Sequence, residues 1–338
     1  MVEKWNSISD IDSPKNDTVF NNLVKAYSII NRATYNKIMV SISGGSDSDI
    51  ILDICYKCDR DNKCEYIWFD TGLEYDATKR HLRYLEKKYG IKITRVRGKK
   101  AIPTCCKEYG VPFVSKDVSQ KLYGLQNAGF KFEDKTYEEL IAEYPKVKSY
   151  IAWWCNVRQR DGDSRFCIAN NRLLKEFLIS NPPKSKISDK CCTYAKKQIS
   201  KDVMKRGGYD LKIMGIRRAE GGARSTAYKT CFEPGWESDL YMPVFWYKEQ
   251  DKQDYCTHFG IRHSDCYEVY GFKRTGCACC PFGGIVEVNR ELLVLKKYEP
   301  KLYKAVKNIF AESYSLMRSY KDFCDAYDAK EMEKAGDV

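Results

Sequence analysis

Short apolar runs alternate with helix-forming stretches in the first hundred residues, and this alternation constrains the fold more than any other feature of the sequence. Three apolar runs have the length and residue content of buried strands: 37–41, 65–69 and 91–96. Between them, apolar residues recur at helical spacing over 50–55 and 78–89. Strands that alternate with helices are typical of a parallel sheet, so we predict an α/β fold with a sheet flanked by helices.

The rest of the chain divides by pattern. A helix is predicted over 19–34, and an apolar run at 211–216 is expected to return the chain to the sheet. Residues 107–189 are predicted to be largely helical, and a polar helix is predicted over 249–259. We predict three segments: a helical arm at 1–35, an α/β domain at 36–235 and a cysteine-rich, helical region at 236–338.

The charge balance indicates an anionic partner. The chain has 58 Lys+Arg against 46 Asp+Glu, a formal net charge of +12, which suits a nucleotide or a nucleic acid. An evenly solvated basic surface is the alternative. The longest apolar stretches are far shorter than the ~20 residues of a membrane span, and residues 1–10 lack the apolar core of a secretory signal. We therefore expect a cytoplasmic protein with no membrane partner.

A glycine–serine turn, SGGSDS at 43–48, lies between the first predicted strand and the helix that follows it. Adjacent glycines allow a tight turn that brings backbone N–H groups close to an anion, and the positive end of the following helix adds attraction for a phosphate. An ordinary glycine-rich turn is the alternative. A Walker-type phosphate loop is absent, because its lysine-containing pattern does not occur here.

Three motifs in order resemble one family. SGGSDS at 43–48 resembles the PP-loop of the adenine nucleotide α-hydrolase superfamily, and FDTGLE at 69–74 resembles the second motif of the phosphoadenosine phosphosulfate (PAPS) reductase family. GIRRAE at 215–220, followed by Arg224, resembles that family's third motif. The second motif ends a predicted strand, where ligands bind in open α/β sheets.

This resemblance implies a Rossmann-like sheet and a set of site residues. The implied nucleotide-binding residues are Ser43, Gly44, Gly45, Ser46, Asp47, Ser48, Asp70, Thr71, Gly72, Gly215, Arg217, Arg218 and Arg224. Those expected to be catalytic are Asp47, Asp70 and Arg217. The segment 36–235 is then a PP-loop nucleotide-binding domain.

The sequence departs from the family pattern at two positions. Gly221 stands where the third motif usually has serine, and Ser46 stands where many members have lysine. The loop therefore lacks one positive charge toward a phosphate. We expect a replacement from Arg217, Arg218, Arg224 or Lys116, since arginine in particular binds phosphate oxygens bidentately. Ordinary surface salt bridges are the alternative for each arginine alone.

Sixteen cysteines and only three histidines mean that any metal site is mostly thiolate. Cys191-Cys192 followed by a Cys277-x-x-Cys280 pair resembles the cluster framework of assimilatory sulfonucleotide reductases and of the PP-loop subunit of DNA phosphorothioation systems. The resemblance implies a [4Fe–4S] cluster on Cys191, Cys192, Cys277 and Cys280, with Cys279 as a substitute ligand. Zinc bound by the same thiolates, or buried cysteines without metal, are the alternatives.

Two enzymatic interpretations and one non-enzymatic one follow from the resemblance. In the first, the protein uses ATP with Mg²⁺, held through Asp47 and Asp70, to adenylate an acceptor such as a nucleic acid, which then receives sulfur from a donor or thiol carrier protein. In the second, it reduces PAPS or adenylyl sulfate and releases sulfite. The family's reductive nucleophile lies in a Glu-Cys-Gly-x-His segment, whereas Cys324 here is followed by neither Gly nor His. The third is a nucleotide-binding iron–sulfur regulator without turnover.

Overall fold

A computed structural model describes residues 2–157, 167–220 and 227–336. The chain forms two compact units, and each is assembled from two separate stretches. The first unit consists of Met1–Lys99 with Ala195–Cys277, and the second of Lys100–Tyr194 with Ala278–Val338. The predicted boundaries at 35 and 235 divide the sequence by pattern, and they stay a prediction.

The first unit contains a mostly parallel six-stranded sheet, as the alternation of strands and helices predicted. Its strands are β1 (Ile38–Ser41), β2 (Cys64–Asp70), β3 (Ile93–Arg97), β4 (Leu211–Met214), β5 (Phe232–Glu233) and β6 (Asp239–Tyr241). The spatial order is β3-β2-β1-β4-β6-β5, and only β5 runs antiparallel to its neighbour. The carboxyl ends of β1, β2 and β4 therefore lie side by side, which brings the residues that follow them together.

The helices of the first unit connect and flank these strands. They are α1 (Asp17–Ile30), α2 (Ser46–Cys58), α3 (Asp76–Tyr89), α10 (Gln198–Gly207), α11 (Glu249–Phe259) and α12 (Asp265–Glu268). The core forms where apolar residues of β1 and β4 meet those of α1 and α2, including Val40, Ile213, Leu23 and Ile51. Because parallel strands are covered on both faces, β1 is almost wholly apolar.

The second unit is helical, which confirms the helical character predicted for 107–189. Its helices are α4 (Ile102–Tyr109), α5 (Lys116–Asn127), α6 (Tyr137–Glu143), α7 (Lys148–Trp154), α8 (Leu174–Ser180), α9 (Lys190–Cys192), α13 (Ile285–Tyr298), α14 (Pro300–Ile309) and α15 (Ala311–Gly336). An aromatic core holds them together, with Phe113, Trp154 and Phe177 fully buried. None of the helices in the described ranges of either unit is both long and apolar enough to cross a membrane.

Candidate phosphate-binding site

The turn predicted to bind phosphate connects β1 to α2 at the carboxyl end of a central strand. Gly44 has a φ of +70°, a left-handed conformation that side chains other than glycine adopt at a cost. A Cβ added there would lie 2.6 Å from Cγ2 of the buried Thr78, so the backbone can pass α3 only because this residue has no side chain.

Serine hydroxyls hold the turn in shape before any ligand arrives. The backbone N–H groups of Ser43 and Gly44 both donate to Ser48 Oγ, at 3.1 Å each, and the Gly45 N–H donates to Ser43 Oγ at 3.3 Å. Ser46 and Ser48 are buried. The turn therefore has the form of an anion cradle, in which a phosphate oxygen can replace a hydroxyl as the acceptor of these N–H groups.

Two cations converge on Asp47 in the first turn of α2. Arg217 Nε donates to Asp47 Oδ2 at 2.9 Å, and Lys252 Nζ lies 3.0 Å from Asp47 Oδ1. Burial alone would raise the pKa of Asp47, but Lys252, a hydrogen bond with Glu220 and the Arg217 guanidinium together hold this pKa below its ordinary value. Asp47 is therefore a carboxylate at neutral pH, and it pairs with the two positive side chains of Arg217 and Lys252 beside the turn.

The second motif places Asp70 at the end of β2, next to β1. Its Oδ1 accepts the Gly72 N–H at 2.8 Å, and its Oδ2 accepts the Arg95 Nε at 2.6 Å. Thr71 Oγ1 donates to Glu74 at 3.0 Å. Both oxygens of Asp70 have protein partners, so in this conformation Asp70 shapes the turn and pairs with arginine.

The third motif follows β4 on the other side of β1. Gly215 lies against the loop, because a Cβ there would be 3.3 Å from the Asp47 carbonyl carbon. Arg217 reaches Asp47, whereas the Arg218 guanidinium lies 5.5 Å from the ring centroid of Trp246. Gly221 and Arg224, which the motif also contains, lie outside the described residues.

Three residues near the turn are outside the predicted nucleotide-binding set. Lys252 Nζ donates to Ser46 Oγ at 2.6 Å, and Tyr267 Oη and Thr275 Oγ1 lie 3.1 Å apart beside Gly45. Lys252 belongs to α11, which was predicted as a polar helix. No local motif marks these residues, since they reach the turn only through packing of segments about two hundred residues away in sequence.

A buried carboxylate anchors α2 behind the turn. Asp49 has no exposed side-chain surface, and its two oxygens lie 3.0 Å from His81 Nε2 and 2.8 Å from His263 Nδ1. The Cys256 thiol lies 3.6 Å from the other nitrogen of His263. These contacts tie the first turn of α2 to α3 and to the segment after α11, and so fix the helix end that faces the turn.

The predicted cluster cysteines are distributed over both units. Cys191, Cys192, Cys279 and Cys280 belong to the second unit; Cys277 belongs to the first, where its thiol lies 3.4 Å from Thr71 Oγ1. A hydrogen bond with Cys192, burial, and the Cys106 and Cys280 thiols raise the pKa of Cys191.

Cys106 is therefore a neighbour of the predicted set that sequence reasoning did not select; the adjacent pair Cys105-Cys106 was its only local signal. Within residues 2–157, 167–220 and 227–336, no three or more His, Cys, Asp or Glu residues are arranged to hold a metal ion. The thiols of the second unit are thus close enough to influence each other without forming a ligand shell in this conformation.

The glycine–serine turn lies between a central parallel strand and its helix, where the predicted PP-loop was expected. Residues 37–166 match the family model described as the phosphoadenosine phosphosulfate reductase domain. The match covers the first two motifs, so residues 37–166 form a domain of the PAPS reductase family, as those motifs predicted.

A curated relative is an uncharacterized protein of Methanocaldococcus jannaschii, 24% identical over 334 residues. The match covers 91% of this chain and 54% of the relative, so the chain spans about half the length of that protein.

Solved structures with a similar chain trace include PAPS reductase from Candida auris in a phosphate complex (13% identity, TM-score 0.41, 75% of this chain and 87% of that one). The U34-tRNA thiolase NcsA from Methanococcus maripaludis with its [4Fe–4S] cluster is 13% identical, with a TM-score of 0.37 over 90% of this chain and 78% of that one. Neither likeness bears on the reaction of this chain.

Proposed function

We propose that this chain binds ATP at the 43–48 turn and cleaves it at the α-phosphate, adenylating an acceptor that then receives sulfur. The observation that carries the proposal is the preformed turn, in which two backbone N–H groups share the Ser48 hydroxyl and two cations lie at Asp47. Such a site favours a ligand with several negatively charged oxygens. Pyrophosphate, which leaves when ATP is cleaved at the α-phosphate, is such a ligand.

The reaction proceeds in two displacements. An acceptor oxygen attacks the α-phosphorus of ATP, the α–β anhydride bond breaks, and pyrophosphate leaves with the bonding electron pair. A sulfur nucleophile then attacks the activated carbon and displaces AMP. The turn and Arg217 bind the phosphate oxygens and stabilise charge on the leaving group, while the net charge of +12 suits a nucleic-acid acceptor.

Asp47 is the better of the two predicted magnesium ligands. Its buried Oδ1 has the Lys252 ammonium at 3.0 Å but accepts no hydrogen bond of good geometry from the described part of the chain, whereas both oxygens of Asp70 accept hydrogen bonds. Mg²⁺ arriving with ATP would neutralise the leaving pyrophosphate. Asp70 then supports the site by keeping the 70–72 turn in place beside the loop.

The cysteine set fits a metal cofactor by its donor chemistry. Thiolates are the ligands that iron–sulfur clusters require, and the thiols of Cys191, Cys192 and Cys280 lie in one unit with Cys106 near them. We propose that Cys191, Cys192, Cys277 and Cys280 hold a [4Fe–4S] cluster, with Cys279 as a substitute and zinc as the alternative metal. A bound cluster would supply an iron site for a sulfur atom in transit.

Sulfonucleotide reduction is the second candidate, because the matching family model carries the name of that activity. It needs a thiolate that attacks the sulfur of PAPS or adenylyl sulfate. Burial raises the pKa of Cys324, the sequence's terminal cysteine, and its thiol lies 3.8 Å from the Arg172 carbonyl. A raised pKa leaves less thiolate for attack, which favours the first candidate.

Product analysis tests the proposal. With α-labelled ATP, Mg²⁺, a sulfide donor and bulk tRNA or DNA as acceptor, we expect AMP and pyrophosphate in equal amounts from the wild type. Asp47→Ala should reduce their formation by about a hundredfold or more, since it removes the carboxylate that organises both cations. Asp61→Ala, which removes an exposed carboxylate, is the matched control and should keep wild-type turnover.

Three results would point elsewhere. Sulfite from PAPS without AMP formation from ATP would establish the reductase instead. Full activity of Asp47→Ala would remove Asp47 from the reaction. Nucleotide binding without any product would support the regulator.

A further inference from the structure

The 43–48 turn carries no cationic side chain of its own. Its residues are serines, glycines and one aspartate, and backbone N–H groups with hydroxyls alone leave most of a phosphate's charge uncompensated. A cation from elsewhere in the fold would be needed to bind a phosphate or pyrophosphate group tightly at this turn.

Lys252 lies where that cation is missing. Its Nζ is 2.6 Å from Ser46 Oγ, so the ammonium occupies the edge of the turn. The same ammonium is 3.0 Å from Asp47 Oδ1. The Lys252 side chain is only 13% exposed, so its position is set by packing, unlike that of a surface lysine.

The helix that carries Lys252 is fixed to the helix that follows the turn. Tyr255, one turn's length from Lys252 on α11, is fully buried, and its hydroxyl donates to Asp53 Oδ2 of α2 at 2.5 Å. At the other side, the Asn16 side-chain amide donates to Asp251 at 3.0 Å. A cation mounted on a fixed helix needs little reorganisation when an anion binds.

Neutralising Asp47 does not by itself account for Lys252. Arg217 already pairs with Asp47, and Glu220, which also interacts with Asp47, is an exposed residue whose charge solvent screens. Glu249 also pairs with Arg217, but its side chain is 72% exposed and solvent screens it. Two cations with little exposure, Arg217 and Lys252, therefore face one largely buried carboxylate, Asp47, which leaves a positive excess at the turn for an anion.

We propose that Lys252, supplied by α11, is the phosphate-binding lysine of this site. The inference rests on the proposed binding of a phosphorylated nucleotide at the turn, and it names the residue that gives the site its affinity for a phosphate or pyrophosphate group. Asp47 and Ser46 hold the ammonium until the anion arrives, and the anion then takes over as its principal partner.

Variants that remove the positive charge of Lys252, or place it at position 46 instead, test this inference directly. We would titrate ATP and inorganic pyrophosphate into the wild type, Lys252→Met, Lys252→Arg and the double variant Ser46→Lys/Lys252→Met by calorimetry at one salt concentration. Lys252→Met should weaken pyrophosphate binding about tenfold to hundredfold, the effect of losing one charge-assisted hydrogen bond. The double variant should recover most of that loss, because it returns the charge to the turn itself.

Lys248→Met is the matched control, since it removes an exposed lysine at the start of the same helix. It should bind like the wild type. Circular dichroism and thermal unfolding establish that each variant is folded. If Lys252→Met does not fold, the pyrophosphate affinities of Lys252→Arg and the double variant are compared with that of the wild type instead.

The titration results distinguish failure of the inference from failure of the proposed reaction. Unchanged pyrophosphate affinity in Lys252→Met, or a folded double variant that binds no better than Lys252→Met, would overturn the inference. If the wild type binds neither ATP nor pyrophosphate, the inference and the proposed function fail together. If pyrophosphate binding depends on Lys252 but no AMP is formed from ATP, the inference stands and the proposed reaction falls.

Discussion

At the scale of single residues, the site depends on the absence of a side chain at Gly44 and on the hydroxyl of Ser48. Gly44 adopts a left-handed φ of +70° against the buried Thr78, while the Ser48 hydroxyl binds the two N–H groups that a phosphate would otherwise bind. A side chain at position 44 would both strain the backbone and clash with Thr78 of α3. The absence of a side chain at Gly44 and the hydroxyls of Ser43 and Ser48 thus set the shape of the turn.

Gly44→Ala should therefore destabilise the protein and weaken ATP binding. The left-handed conformation alone costs an alanine about 1–2 kcal/mol, and the 2.6 Å approach to Thr78 adds to this. Gly90→Ala is the matched control, because Gly90 has a φ of +64° with nothing within 4 Å of an added Cβ. Urea unfolding should show a smaller loss for Gly90→Ala, with unchanged ATP affinity. Equal losses for the two variants would contradict the contact with Thr78.

At the scale of elements, the succession β1-α2-β2-α3-β3 could be predicted from the sequence. Each of these strands and helices is long enough for its characteristic spacing of apolar residues to be visible. It predicted α2 only from residue 50, whereas the helix begins at Ser46. Residues 46–49 are polar and yet mostly buried, so apolar spacing does not reveal the first turn. The strands β5 and β6 were not predicted, since two or three residues are too few to show an alternating pattern.

The candidate site divides in the same way. The turn, Asp70 and Arg217 were predicted because each belongs to a local motif that follows a strand, and adjacent strands bring them to one edge of the sheet. Lys252 was not, because it is 206 residues from its partner Ser46, and only the packing of α11 on α2 joins the two. A contact between distant elements leaves no periodicity in the sequence.

At the scale of the whole molecule, the predicted cysteine ligands come from separate stretches of the sequence. Cys277 belongs to the first unit and Cys191, Cys192 and Cys280 to the second. Cys191 and Cys192 come from one stretch of the second unit and Cys280 from the other, so a metal bound by these three would link the two stretches and contribute to stability as well as chemistry.

Metal analysis of anaerobically purified protein should find about four irons and four acid-labile sulfides per chain. Cys191→Ser and Cys280→Ser should lose most of this iron, because each removes one of four ligands. Cys155→Ser, a partly exposed cysteine of the second unit outside the predicted set, should retain it. Zinc without sulfide would replace the cluster by a thiolate zinc site, and full iron in Cys191→Ser would refute the ligand assignment.

The central claim is that the 43–48 turn binds ATP for cleavage at the α-phosphate. The most direct measurement is a calorimetric titration of the wild-type protein with ATP and with a non-hydrolysable analogue that has a methylene group between the α- and β-phosphorus atoms. We predict saturable binding of both at one site per chain, and competition by pyrophosphate. Binding of neither ligand, or binding that pyrophosphate does not displace, would contradict the account.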